Sequence, residues 1–195
     1  MRLKKYFKRY YKMSETFFTS DHHFGHKNIL EYEKDARPFK TLEEMHHVLI
    51  NNWNSVVSKN DIVYHLGDFA FGRHNISIAR HLNGRKKLVL GNHDTYPSVL
   101  YLEFFEKLYG CLFWERCVLS HIPVHSNGLG KRWLLNLHGH LHSNKVIEGY
   151  QQVKGASGIF TKIVYDKNYF NVSVELHNLT PVHSDLIMER LKELL

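Results

Sequence analysis

The sequence predicts an α/β fold, and three observations carry that expectation. Short β-prone runs alternate with stretches of helical periodicity along the chain. Five of those runs stop at a polar residue, at Asp21, Asp68, Asn92, His121 and His140. Glycine stands next to three of these stops, at Gly67, Gly91 and Gly139. A residue without Cβ permits a sharp turn and a close backbone approach. In α/β sheets, ligands gather at the carboxyl ends of strands, so five such ends would converge on one cleft.

The elements follow in order. Leu3, Tyr6, Phe7, Tyr10 and Tyr11 mark the apolar stripe of a short helix. Arg2, Lys4, Lys5, Lys8, Arg9 and Lys12 fill its other face. Residues 1–12 therefore read as a basic amphipathic extension ahead of a single domain, 13–195. Thr16 to Ser20 is β-prone. Thr41 to Val57 reads as a helix, with Thr41 as N-cap and Glu44 completing a capping box. Its expected buried side is Leu42, Met45, Leu49, Trp53 and Val56. Asp61 to Leu66 is a strand, Ile76 to Leu82 a short helix, and Lys87 to Leu90 a buried strand. Ser98 to Tyr109 is expected to be helical throughout. Val118 to Ser120, Trp133 to Leu137 and Tyr169 to Leu176 read as strands, and Ser184 as the cap of a final helix.

Composition sets outer limits. At 195 residues and 43% hydrophobic, the chain suits one globular domain with a sizeable core. No apolar run approaches the roughly 18 residues of a membrane helix. The N-terminus is basic but lacks an apolar core followed by small residues, so it does not read as a signal peptide. Cys111 and Cys117 form no C-x-x-C pair and read as reduced thiols in a cytoplasmic protein. The net charge of +7 lies in the extension: without its six basic residues, 20 basic face 19 acidic. The body is near neutral, and the extension alone is the part suited to nucleic acid or an anionic surface.

The polar stops carry the chemistry. They read Asp21-His22-His23, Gly67-Asp68, Gly91-Asn92-His93-Asp94, His121 and Gly139-His140-Leu141-His142. Together they offer seven oxygen or imidazole ligands, enough for two divalent ions sharing one carboxylate. Gly-His-x-His places two imidazoles on one side of an extended segment. Single histidines usually serve structure, and His46, His47, His74, His81, His177 and His183 read that way. An imidazole-rich set with oxygen ligands suits Mn, Fe, Zn, Co or Ni better than Ca, no thiolate forces zinc, and two such ions equip a site to hydrolyse a phosphate ester.

In this order the motifs resemble those of the calcineurin-like metallophosphoesterases. The likeness runs from about Thr16 to about Pro181. Phe18-Thr19-Ser20-Asp21, His65-Leu66-Gly67-Asp68-Phe69 and Asn136-Leu137-His138-Gly139-His140 are similar to a small, single-domain bacterial and phage branch. The resemblance implies a four-layer sandwich of two mixed β-sheets flanked by helices. It implies one metal on Asp21, His23, Asp68 and His142, and another on Asp68, Asn92, His121 and His140, with Asp68 bridging. Mn is the expected cofactor, and the nucleophile a hydroxide bridging the two ions. His93 matches the position near the leaving group, and Asp94 is expected to hold its ring. His22 and His26 beside the first ligands, and Asn127 after His121, are placed as substrate contacts. The repair nucleases of this superfamily are longer, with a DNA-capping domain for which this chain has no room.

The resulting expectation is a phosphoesterase acting on a small phosphodiester or nucleotide-type ester. The alternatives are a nuclease or RNA-processing enzyme that uses the basic extension, and a scaffold without turnover.

Overall fold

The computed structural model describes residues 14–155 and 158–195. The basic extension at residues 1–12, with its expected helix, lies outside the described residues.

Five strands form the first sheet: β1 (Thr16–Thr19), β2 (Ile62–His65), β3 (Arg85–Val89), β4 (Lys107–Tyr109) and β11 (Val182–His183). Their order is β11-β1-β2-β3-β4, parallel except for β11. The second sheet has the order β10-β7-β6-β5 and is also mixed. It comprises β5 (Leu112–Trp114), β6 (Cys117–Leu119), β7 (Leu135–His138) and β10 (Tyr169–Asn171). β8 (Ile147–Gly155) and β9 (Gly158–Tyr165) make a separate two-stranded ribbon. The expected pair of mixed sheets flanked by helices is what the structure shows.

Alternation along β1 sorts its side chains into two cores. Phe17 joins Val63, Leu88 and the helix residues Met45, Leu49 and Trp53. Phe18 joins Leu119, Leu135, Leu137 and Val172 of the second sheet, with Ile187 and Leu191 of the last helix. The first sheet is thus covered on one face by helices and on the other by its partner sheet.

Four α-helices are described: α1 (Ile29–Tyr32), α2 (Leu42–Val56), α3 (Ser98–Leu102) and α4 (Ser184–Glu193). α2 begins as expected, with the Thr41 side chain accepting from Glu44 N. Val57, rather than Val56, closes its buried side: Val56 is exposed. The segment expected as helix at Ile76 to Leu82 is a 3-10 helix, Arg73–His81.

Ser98 to Tyr109 is not helical throughout. The backbone N–H groups of Phe104 and Phe105 both donate to Tyr101 O at 2.9 Å, which closes the last turn and drops Phe105 into the core. The chain then supplies β4, whose ladder with β3 outweighs the helical periodicity of the sequence. Tyr169 to Leu176 is likewise cut short. Asn171 Oδ1 accepts from Ser173 N at 2.9 Å and turns the chain into the 3-10 helix Val174–His177. Ser184 is the first residue of α4, and the cap is His183, whose side chain accepts from Asp185 N.

Candidate metal centre

The ligand segments continue the ladders of the strands that deliver them. Asp21 N donates to Gly67 O at 3.0 Å and His23 N to Asp68 O at 3.1 Å, which locks the first two segments side by side. Gly139 N donates to His121 O at 2.9 Å and joins the other two. Beyond the strands the backbone turns left-handed at Asp21, His23, Asp68, His140 and His142, with φ between 49° and 69°. Non-glycine residues adopt this region rarely, and it concentrates at functional sites. All three glycines beside the ligands are sterically required: a Cβ on Gly67, at φ 98°, would stand 2.5 Å from His121 Nδ1. A Cβ on Gly91 would stand 2.2 Å from Asp68 Oδ1, and one on Gly139 would stand 2.5 Å from Asp21 Oδ2.

The result is two clusters of ligand atoms. Asp21, His23 and His142 bring theirs within 4.8 Å of one another, and so do Asp68, His121 and His140. Asn92 joins the second cluster, its Oδ1 lying 2.9 Å from His121 Nε2. Asp68 stands between the clusters. Its Oδ2 is 3.6 Å from His23 Nε2 and 3.4 Å from His121 Nε2. All seven expected ligands therefore meet in one place.

Electrostatics marks the same atoms. Burial pushes Asp68 up, but its hydrogen bond to His121, the charge of that ring and the His93 backbone N–H outweigh burial and hold its pKa at about 2. Burial lowers His121, yet Asp68 and Asp21 together lift it to about 8. Asp21 is raised by burial. His23 Nε2 is buried without a hydrogen-bond partner, which is costly unless a ligand arrives. An orphaned imidazole nitrogen, two carboxylates, an amide oxygen and no thiolate fit two hard or borderline divalent ions.

Sequence reasoning missed the group that fastens the first cluster. The Arg37 side chain is fully buried, as is that of Glu175. Arg37 donates through Nη1 to His22 O at 3.0 Å, through Nη2 to Asp21 O, and through Nε to Glu175 Oε1 at 2.8 Å. The same Glu175 Oε1 lies 2.9 Å from His142 Nδ1. With the Nδ1 proton held there, His142 presents Nε2 as a ligand. Burial would raise Glu175, but the His142 hydrogen bond and the Arg37 charge outweigh it and lower its pKa. One guanidinium thus holds both the left-handed backbone of the first loop and, through Glu175, the ring of His142.

The pair Arg37→Met/Glu175→Gln removes both buried charges and keeps an acceptor for His142. It should weaken the ion on the first cluster by about 10–100-fold, as loss of an outer support does, and the ion on the second much less. Calorimetric titration with Mn(II) checks this. Equal weakening of both ions, or of neither, would contradict the clamp.

Two expected roles change. Asp94 does not hold the His93 ring. Its carboxylate accepts the backbone N–H groups of Asp68 (2.7 Å), Phe69 (3.1 Å) and Gly91 (2.9 Å), so it ties the second and third ligand loops together. Burial raises its pKa to about 6. His93 rests instead on Phe71, with ring centroids 4.7 Å apart. His22 is not a substrate contact. It is wholly buried, with Nδ1 2.9 Å from His65 Nε2 and its ring among Phe24, Trp53 and Phe69. With Asp21 and His23 both left-handed, the residue between them faces the core.

His26 does stand near the centre, stacked on Phe71 at 3.9 Å and 6.3 Å from the His93 ring. Asn127 lies exposed on the turn Ser126–Gly128, where its N–H donates to His125 Nδ1. Its side chain is placed against none of the ligands.

Two clusters of strand-end side chains that could each hold a cation are what a metal-dependent phosphoesterase needs. The chain belongs to the calcineurin-like phosphoesterase family, whose model matches residues 16–184. It is 34% identical to an uncharacterized protein of Methanocaldococcus jannaschii over 93% of both chains. It is 29% identical to the gene 66 protein of Mycobacterium phage L5, over 88% of this chain and 100% of that one. Among solved structures it is similar to the Aquifex aeolicus protein AQ665, of unknown function. The TM-score is 0.65 at 26% identity, over 91% of this chain and 99% of that one. Among the described residues no helix is long and apolar enough to cross a membrane.

Proposed function

We propose that this protein is a dinuclear metal-dependent phosphodiesterase acting on a small phosphodiester or nucleotide-type ester. The observation that carries the reading is the position of Asp68. One of its oxygens faces a ligand nitrogen of each cluster, at 3.6 and 3.4 Å. A carboxylate so placed is suited to bridge two cations.

Two bound ions supply charge neutralisation for the phosphate and a water whose pKa falls from near 15.7 toward about 7. The chain's residues do the rest. Asp21, His23 and His142 would hold one ion and Asn92, His121 and His140 the other, with Asp68 placed to serve both. The neutral Asn92 amide limits the negative charge at the second ion. His93 is 41% exposed, with Nε2 3.9 Å from Asp68 Oδ2, which puts a proton donor at the open side of the centre for the departing oxygen. Phe71 keeps that ring from turning away. Mn(II) is the ion proposed here, with Fe, Ni, Co or Zn as alternatives that a mixed carboxylate, amide and imidazole set also suits. The free thiols Cys111 and Cys117 suit a reducing, cytoplasmic setting.

Chelation should abolish hydrolysis of an aryl phosphodiester, and Mn(II) should restore it together with a higher melting temperature. A chelated protein as active as the reconstituted one would refute the two-metal reading. Repeating the assay on a short single-stranded nucleic acid at rising salt separates small-ester chemistry from nuclease action, which weakens steeply with salt.

A further inference from the structure

The β8–β9 ribbon stands apart from both sheets: its two strands pair with each other and, among the described residues, with nothing else. It leaves the body shortly after His142 and returns where Asp166 N donates to Val146 O at 3.0 Å. Large apolar side chains project from both its faces. Tyr150 is 70% and Ile159 is 73% exposed, and Ile147, Phe160, Ile163 and Tyr165 are exposed as well. A two-stranded hairpin alone is marginal in water, and independent stability takes three or more strands with an apolar face. The ribbon's β-branched and aromatic sequence is that of an inner pair of strands lacking outer neighbours.

Its two edges differ. β8 carries Glu148, Gly149 and Lys154, and its register shifts between Ile147 and Gly149, features that blunt an edge. β9 runs Ile159-Phe160-Thr161-Lys162-Ile163-Val164-Tyr165 with one charge, no proline and no register shift. It is an unprotected edge.

We propose that β9 pairs antiparallel with β9 of a second copy of this chain, about a twofold axis at Thr161, to make a four-stranded sheet. A twofold normal to a sheet pairs residues whose numbers share parity, so the axis must pass through a residue. At Thr161 it sets Thr against Thr, Ile159 against the second copy's Ile163, and Phe160 against Lys162, all favourable cross-strand neighbours. At Lys162 it would set like charges face to face, and at Phe160 it would pair only residues 158–162, against 158–164 at Thr161. The pairing lays Ile159, Thr161 and Ile163 of both copies side by side on one face, so these exposed side chains shelter one another across the seam, while Ile147 and Tyr150 on β8 stay outside it. Lys154 and Lys162 against Glu148 are too few cations to make the same surface a polyanion track.

The cross-link is the sharpest test. In a Cys111→Ser background, Thr161→Cys should give a disulfide-linked dimer on mild oxidation. Facing Cα atoms lie about 4.5–5.5 Å apart in an antiparallel pair, inside the range a disulfide spans. Gln151→Cys on β8 should stay unlinked. Light scattering of the unaltered protein should give a dimer. Ile159→Lys/Ile163→Lys should give a monomer whose aryl phosphodiester hydrolysis stays within about twofold, since neither residue touches the metal centre. The cross-link alters only an exposed residue and reads out even if the double-lysine variant precipitates. A monomer at tens of micromolar, equal cross-linking at Gln151, or a dimer that survives both lysines would overturn the proposal. So would a monomer that holds a single-stranded oligonucleotide through the ribbon.

Discussion

Asp68→Asn should cost more activity than any other single ligand change. The substitution is nearly isosteric, so the loop keeps its shape and the loss reports charge rather than packing. The carboxylate's Oδ1 accepts from His93 N at 2.9 Å while Oδ2 faces His23 and His121. An amide in its place supplies one neutral oxygen to a position built to satisfy two cations. Both ions should weaken together, and turnover should fall by more than the roughly 10–100-fold that removal of an outer support costs. Asn92→Asp and any single-histidine change touch one ion and should cost less. Metal content per chain, measured beside turnover, tells these apart. A metal-replete, near-normal Asp68→Asn protein would contradict the bridge.

His93→Ala should behave in the opposite way: both ions stay and turnover drops by about 10²–10⁴-fold, the usual worth of a general acid. Its ring is the most exposed of those beside the centre and makes no hydrogen bond that the fold needs. The loss should shrink for a nitrophenol ester, whose leaving group departs without a proton, and remain full for an alkyl or nucleoside ester. Loss of metal in the variant would make His93 a ligand. Equal loss on both esters would assign it to phosphate charge rather than to proton donation.

The ligands were legible because each follows a β-run, and the parallel ladders carry those ends to one edge. Nothing in the sequence singles out Asp21 or His140 as left-handed: Asp and His enter that region more readily than most residues, but the chain holds many of both in ordinary backbone. Arg37 was invisible for another reason. Its partner Glu175 is 138 residues away, and no local pattern announces a contact over that distance. His22 and Asp94 misled because adjacency in sequence stood in for adjacency in space. His22 turns inward while its neighbours turn to the candidate metal centre, and Asp94 serves backbone N–H groups of its own loop and of the loop before it. The helix expected through Tyr109 failed because periodicity cannot register the ladder that β3 offers to residues 107–109. The ribbon went unread although Ile159 to Tyr165 is β-branched and aromatic enough to mark a strand; what the sequence does not carry is its separation from both sheets.

If the two clusters bind ions as proposed, the left-handed backbone would tie the abundance of this protein to metal supply. Each of the five such ligands costs on the order of 1–3 kcal/mol, and the fold carries that load whenever it is apo. An ordinary domain has a net stability of only about 5–15 kcal/mol, so the apo form spends much of its margin holding loops ready for ions. Ions that bind only the folded chain return stability, about 2.7 kcal/mol for each site at a hundredfold excess over Kd. A cell short of the metal would therefore lose this protein twice, first as turnover and then as folded chains surrendered to proteolysis.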